Sequence, residues 1–264
     1  MLRLAFKHAY FGWNFHGNQY QPDLRTVDGE IFKALKKMGI DPKESRYKIA
    51  GRTDAGVSAL GNVFSLNLRE FDEWFLIVLN KNLPNDITVW GYKEVDEDFN
   101  PRKRAKSRIY IYAMPDLGYD VEKMRKAAKK LVGEHDFSSF AKSCEPCIRE
   151  IYRSEIFKKN GLIFYEVEGN AFAWNMVRKI VTALKIVGKT GDETLIDRLL
   201  KGEKIPLTPA PPFGLILKDV RYDFEFEVEK KSYNLLKKRL EENFIKFSQL
   251  YGILYSLRNL LLSL

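Results

Sequence analysis

Gly51-Arg52-Thr53-Asp54-Ala55-Gly56-Val57-Ser58-Ala59 sets an arginine and an aspartate in a short loop between two glycines. Glycine relieves backbone sterics and lets a bulky ligand approach the chain closely. The aspartate has two readings. It caps a turn through its own backbone, or it is presented into a cleft with a cation beside it. Local chemistry leaves both open.

On either side, the chain alternates between strand and helix signals. Leu2, Leu4 and Phe6 alternate with Arg3, Ala5 and Lys7, a strand pattern. Gly12, Asn14, Gly17 and Asn18 then break into a loop. Thr26 is placed to cap a helix with Val27, Ile31, Leu35 and Met38 on one stripe, and Gly39 ends it. Residues 51–61 read as a loop, 63–68 as a strand, 71–81 as a helix and 87–95 as a strand. In the second half, Ile109, Ile111 and Ala113 alternate with Arg108, Tyr110 and Tyr112. A Lys-rich amphipathic helix is expected over 121–132. Strands follow over 148–157 and 162–169, with Asn160-Gly161 in the turn between them. Helices are expected over 172–187 and 195–200, a proline-rich loop over 206–212 and a strand over 215–222.

This mixture predicts an α+β fold dividing near residue 105 into two similar sheet-plus-helix units. The expected organisation is an N-terminal lobe over 1–105 carrying the Asp54 loop, a C-terminal lobe over 106–224, and a helical extension over 225–264. The extension carries Leu235, Leu236, Leu240, Phe244, Phe247 and Leu250, and packs on the body or on a second subunit.

Composition narrows the class. The 264 residues suffice for a substantial core. With 44 Lys plus Arg against 35 Asp plus Glu, the formal charge is +9, a surplus that suits a polyanionic partner such as nucleic acid or an anionic membrane surface, or equally a solvated basic surface with no partner. Cys144 and Cys147 have CxxC spacing, but no second cysteine pair completes a four-ligand zinc site, and two reduced thiols are expected. No apolar run reaches the length of a membrane span, and the N-terminus has no signal-peptide pattern, so a cytoplasmic protein is expected.

Five segments in order resemble the TruA family of transfer-RNA pseudouridine synthases. The first is the Asp54 loop itself. The second is Tyr10, Gly12, Phe15, Gly17, Gln19 and Gln21 with Thr26-Val27, and the third is residues 105–112, Ala-Lys-Ser-Arg-Ile-Tyr-Ile-Tyr. The fourth is residues 133–140, Gly-Glu-His-Asp-Phe-Ser-Ser-Phe, and the fifth is Asn170-Ala171-Phe172 continuing to Met176-Val177-Arg178. The resemblance runs from about residue 3 to about residue 223.

The resemblance implies RRM-like lobes, the pseudouridine synthase fold, around a basic central cleft. It implies a homodimer, no cofactor and no metal, and a transfer-RNA substrate whose anticodon stem-loop uridines at conventional positions 38, 39 and/or 40 are isomerised. Asp54 matches the essential aspartate, a nucleophile or base, which must be ionised and so benefits from a nearby cation. Arg178 matches its ion-pair partner, Tyr110 the active-site tyrosine, and Arg52 the arginine that helps extrude the target nucleotide. Arg102, Lys103, Arg104, Lys106 and Arg108 put a basic run beside Tyr110, the combination expected for phosphate contact next to base stacking. Lys126, Lys129 and Lys130 could extend that surface.

Two rival readings remain in view. A catalytically silent RNA-binding protein would keep the basic face and Tyr110 without needing Asp54. A metal-dependent nuclease would need several carboxylates around divalent ions, and Glu30, Asp72 and Asp136 form no compact cluster with Asp54 in sequence. The chain departs from the family at Ser58, where many members carry histidine.

Overall fold

In the computed structural model, which describes residues 1–262, both halves of the chain repeat one topology. The first half runs β1 (Leu2–Tyr10), α1 (Val27–Lys37), β2 (Lys48–Ile49), β3 (Ser58–Leu68), α2 (Trp74–Asn82) and β4 (Ile87–Val95). Its strands lie in the order β4-β1-β3-β2. The second half runs β5 (Ser107–Pro115), α3 (Val121–Lys129), a short β6 (Gly133–Asp136), β7 (Ile148–Lys159), β8 (Leu162–Gly169), α4 (Met176–Thr190), α5 (Leu195–Leu200) and β9 (Leu215–Arg221). Its strands lie in the order β9-β5-β8-β7-β6. Leaving β6 aside, each half is a split β-α-β-β-α-β unit with sheet order 4-1-3-2, the RRM-like α+β arrangement expected from the sequence.

The two units fuse into one ten-stranded sheet. Every pairing is antiparallel except β3 with β9, which is parallel at Ser58–Ala59 against Ile216–Leu217. Each half keeps its own apolar core. One gathers Phe6, Ile31, Leu35, Phe64, Leu66 and Leu79, the other Phe137, Phe140, Tyr165, Ile180, Leu184 and Val187. Strand β9 serves both, because Leu215 faces the second core while Leu217 and Val220 face the first.

Local signals explain most elements. The Thr26 hydroxyl accepts the Gly29 N–H at 3.2 Å and caps α1. Asn160 and Gly161 both adopt positive φ in the β7–β8 turn, at 50° and 74°. Two expectations need correction. Strand β3 begins at Ser58, inside the stretch read as loop, because its first residues gain β9 as a partner. Helix α4 begins at Met176, not at residue 172, because Asn175 takes a left-handed conformation at φ 63° and turns the chain. Arg3, which alternates with the apolar residues of β1 in the sequence, is buried, since β1 is central and covered on both faces. Its guanidinium donates to the Phe99 and Arg46 carbonyls, Asn67 Oδ1 and Ser65 Oγ.

The segment after β9 runs back to the first half. Strand β10 (Glu227–Val228) adds to β4, and α6 (Lys230–Leu262) follows as one 33-residue helix. Arg239 anchors it by donating to the Ile87 carbonyl at 2.6 Å and to Thr88 Oγ1 at 2.9 Å, and Asn80 donates to Ser232 Oγ. Residues 263 and 264 of the expected extension lie outside the described residues. No helix among the described residues is long and apolar enough to cross a membrane.

In the first turn of α1, Asp28 is buried and accepts from Tyr47 Oη at 2.8 Å and Asn18 Nδ2 at 3.2 Å. Burial pushes its carboxyl up to about 6, against the lowering pull of these donors and of Arg52. The folded state therefore binds this proton more tightly than the unfolded chain does. The resulting stabilisation is full below the ordinary carboxylate range and is lost as pH rises through about 6. Wild type should thus gain roughly 2–3 kcal/mol relative to Asp28→Asn between neutral pH and about pH 4. Urea unfolding of both proteins at the two pH values checks this, and a pH-independent difference would refute it.

Candidate active site

The parallel β3–β9 contact places the β2–β3 loop, with Asp54, at the junction of the two halves. A cavity of about 1100 Å³ opens there. Its walls take Asn18 and Tyr20 from the β1–α1 loop, Arg52 and Asp54 from the glycine loop, Tyr110 from β5, Trp174 from the turn before α4, and Arg178 from α4.

Asp54 and Arg178 meet across the junction. Arg178 Nη1 donates to Asp54 Oδ2 at 2.9 Å, and the two side chains are only 30 % and 16 % exposed. The guanidinium is held from behind. Its Nε donates to the Ala210 carbonyl at 2.6 Å and Nη1 also reaches Asn175 Oδ1 at 3.2 Å. The proline-rich loop is tied to the same helix by Ala210 N–H to the Arg178 carbonyl and by Thr182 Oγ1 to the Thr208 carbonyl. One face of the carboxylate is thereby fixed on a cation, and the other side of the site stays open to the cavity.

The loop carrying Asp54 rests on buried polar groups. Asn62 clamps Gly51 with its amide, accepting the Gly51 N–H at 3.1 Å and donating to the Gly51 carbonyl at 3.0 Å. Tyr10 and Thr53 share a hydrogen bond of 2.7 Å between their hydroxyls. Asn18 N–H donates to the Thr53 carbonyl, and Gly56 N–H to the Phe15 carbonyl. Asp54 also turns its own backbone, since the Val57 N–H donates to the Asp54 carbonyl at 3.2 Å. The turn is made by the backbone, and the carboxylate is left for Arg178.

Tyr110 lines the cavity with its ring edge-on to Phe172, centroids 5.2 Å apart. Burial pushes its hydroxyl up to about 12, with Asp54 adding to that and Arg108 opposing it, so the phenol is neutral at physiological pH. Tyr112, two residues along the same strand, is buried in the second core and donates to the Pro211 carbonyl. Only the first of the two tyrosines faces the cavity.

The basic run is divided. Arg102 and Arg108 line the cavity. Arg108 is spent on structure, donating to the Asn170 and Arg102 carbonyls. Arg104 pairs with Asp98 at 2.9 Å and Lys106 with Asp223 at 3.8 Å, both away from the cavity lining, and Lys103 is exposed outside it. Lys126 and Lys130 pair with Glu193 and Asp197 on the α5 side, and Lys129 is likewise outside the lining. Arg52 stands exposed on the cavity wall, without a hydrogen-bond or ion-pair partner among the described residues. Among the described residues no cluster of carboxylates, histidines or cysteines is suited to hold a metal ion.

Cys144 and Cys147 correct the expectation of two reduced thiols. They are joined in a disulfide, because the turn between them brings their Cα atoms to 5.0 Å. Several contributors to the site have no signature in the sequence. Asn62 and Thr53 carried no signal apart from their neighbours, and Ala210 acts through a backbone carbonyl that no side chain announces. Trp174 fell inside a stretch read as helix.

Comparison with known proteins bears on this arrangement. The profile of a family described as "tRNA pseudouridine synthase" matches residues 127–223. A "tRNA pseudouridine synthase A" of Archaeoglobus fulgidus is 48 % identical over 260 residues, covering 96 % of each chain. Proteins of the same description from Thermococcus sibiricus and Pyrococcus furiosus are 44 % and 40 % identical, covering 93 % and 92 % of this chain and 95 % and 92 % of theirs.

The loop's seat leaves no room at Gly12, where an added Cβ would lie 2.1 Å from the Val57 carbonyl oxygen, a backbone atom that cannot swing away. Gly252 in α6 has open space around it. Gly12→Ala should therefore lower stability by about 1–3 kcal/mol or more, while Gly252→Ala should raise it by up to about 1 kcal/mol. Thermal melting of the two variants checks the contrast; equal and small shifts would count against this seat.

Proposed function

Because this chain belongs to the TruA family of transfer-RNA pseudouridine synthases, which are RNA-modifying isomerases, we propose that it isomerises uridine to pseudouridine in the anticodon stem-loop of transfer RNA, at positions 38, 39 and/or 40, with Asp54 as the catalytic carboxylate. The observation that carries the assignment of Asp54 is its 2.9 Å pair with Arg178 on the wall of the junction cavity.

The reaction breaks the bond from the ribose C1′ to N1 and forms one from C1′ to C5. The C5 proton is lost and N1 gains one, so the product is an isomer and no redox change occurs. An ionised Asp54 serves the three routes open to such a carboxylate: attack on the ribose, attack on the base, or proton abstraction in an elimination. Arg178 orients the carboxylate through its 2.9 Å hydrogen bond. Tyr110, neutral with its hydroxyl raised to about 12, is suited to stack on the uracil rather than to act as a resting base. A stacked nucleotide hides its ribose, so the target must leave the helix, at a cost of a few kcal/mol. Arg52, unpaired on the wall, is suited to fill the gap left behind. Arg102 supplies phosphate contact beside it.

The test is pseudouridine formation on unmodified transfer-RNA transcripts, with RNA binding measured in parallel. Wild type should yield product, with or without a chelator, and transcripts with cytidine at 38, 39 or 40 should map the target. Asp54→Asn should bind RNA within about twofold and yield none. Activity retained by Asp54→Asn would remove the carboxylate from the chemistry. A folded wild type inert on every transcript would instead favour a non-catalytic RNA-binding protein.

The homodimer belongs to the same proposal. Leu240, Phe247, Leu254 and Leu261 recur every seventh residue along α6, with Leu250 and Leu257 at the intervening coiled-coil positions, and all six are at least 42 % exposed. A sustained seven-residue repeat is the pattern of a helix that pairs with another. Covering these side chains on two copies removes on the order of 1,000 Å², about the least a specific interface needs. Leu250→Asp with Leu254→Asp should convert a dimer to a monomer in sedimentation equilibrium. A wild type that is monomeric at micromolar concentration, or a double variant that stays dimeric, would overturn pairing through α6.

A further inference from the structure

Trp174 has an exposure that its neighbours do not share. Phe172 and Ala173 pack against the second core, but Trp174 does not, and its side chain is 52 % exposed on the cavity wall. The left-handed Asn175 that follows turns the chain into α4 and leaves the indole projecting from the segment before it.

The adjacent 141–147 loop is built onto this indole. Lys142 N–H donates to the Trp174 carbonyl at 3.2 Å, and Lys142 Nζ lies over the indole ring, 3.9 Å from its centroid. The loop is fixed at both ends. Lys179 Nζ donates to the Ala141 carbonyl, while the Cys147 N–H donates to Asp136 Oδ1 and Ser138 Oγ beside the Cys144–Cys147 disulfide. Ser143, between the two, lines the same cavity as Trp174 and Asp54.

A half-exposed indole with an ammonium on one face offers its other face to a flat ring, and the cation to an anion beside it. Such a pair matches a nucleotide, whose base stacks on an aromatic plane and whose phosphate takes a cation. Arg102 on the same cavity favours a nucleic-acid strand over an acidic peptide, because the partner must supply flat rings and regularly spaced anions together. We propose that Trp174 and Lys142 form a subsite for an unpaired nucleotide flanking the target uridine, the indole stacking on its base and the ammonium meeting its phosphate. This inference rests on the transfer-RNA reading given above.

The experiment compares wild type, Trp174→Ala, Trp174→Phe and Lys142→Met on a short oligouridylate and on unmodified transfer-RNA transcript. Circular dichroism and melting establish that each is folded. Trp174→Ala should weaken RNA binding about 5- to 150-fold, corresponding to the loss of one base stack, with the kinetic loss mainly in KM rather than kcat. Trp174→Phe, which keeps a ring, should recover most of the affinity. Lys142→Met should lower the slope of log affinity against log salt by about 0.7–0.9, the release expected for one phosphate, whereas Trp174→Ala should leave that slope unchanged. Affinity and KM of Trp174→Ala within twofold of wild type would overturn the subsite, as would Trp174→Phe binding no better than Trp174→Ala. An unchanged salt slope in Lys142→Met would overturn the phosphate contact. An active wild type with an indifferent Trp174 would sink this inference and leave the proposed reaction standing. An inactive wild type whose RNA binding still depends on Trp174 would do the reverse.

Discussion

The ion pair between Asp54 and Arg178 is the contact on which the site depends, because its members come from different halves of the molecule. Asp54 arrives on the loop before β3, and Arg178 on the first turn of α4. The pairing has a physical reason. A guanidinium with 16 % exposure is largely removed from water and requires an anion, and the half-buried carboxylate beside it supplies one. Any change in how the two repeats meet would be read out first at this pair.

The meeting is enforced by β9. This strand belongs by order to the second repeat, yet it pairs with β3 of the first and contributes apolar side chains to both cores. The pairing begins at Ser58, four residues after Asp54, so the loop has little freedom to drift from the junction. Beneath it, Asn62, Tyr10, Thr53 and Asn18 form a buried polar seat in which donors and acceptors are matched. Buried polar networks of this kind hold one arrangement, since leaving any member unsatisfied is costly. The seat supports a loop whose own side chains stay available.

Charge is distributed by the same logic. Many of the cations counted in the +9 surplus are engaged: Arg104 with Asp98, Lys130 with Asp197, Lys218 with Glu166. At the cavity the balance is different. Arg52 makes no hydrogen bond or ion pair among the described residues, Arg102 lines the same cavity, and Asp54 is already matched by Arg178. The cavity therefore presents net positive charge to a ligand although the surface as a whole is mixed, which favours a polyanion at the junction where Asp54 sits.

The two-unit α+β organisation, the capping of α1, the strand limits of β4 and β8, and the Asp54 loop were legible in the sequence, because each is encoded by local patterns: hydrophobic period, a capping threonine, paired turn residues, or a motif in fixed order. Several features had no local signature. The partner of β3 beyond Ser58, the burial of Arg3, the clamp of Asn62 on Gly51 and the hold of the Ala210 carbonyl on Arg178 all depend on groups far apart in the chain. The division of the basic run is of the same kind, since only folding decides which of Arg102, Arg104 and Arg108 finds an internal acceptor. Side-chain type and spacing thus set which elements form and which chemistry is present. Which polar groups neutralise one another, and which remain open to a ligand, was settled by tertiary packing, because hydrogen bonds and ion pairs of a few ångströms are made between neighbours in space and not in sequence.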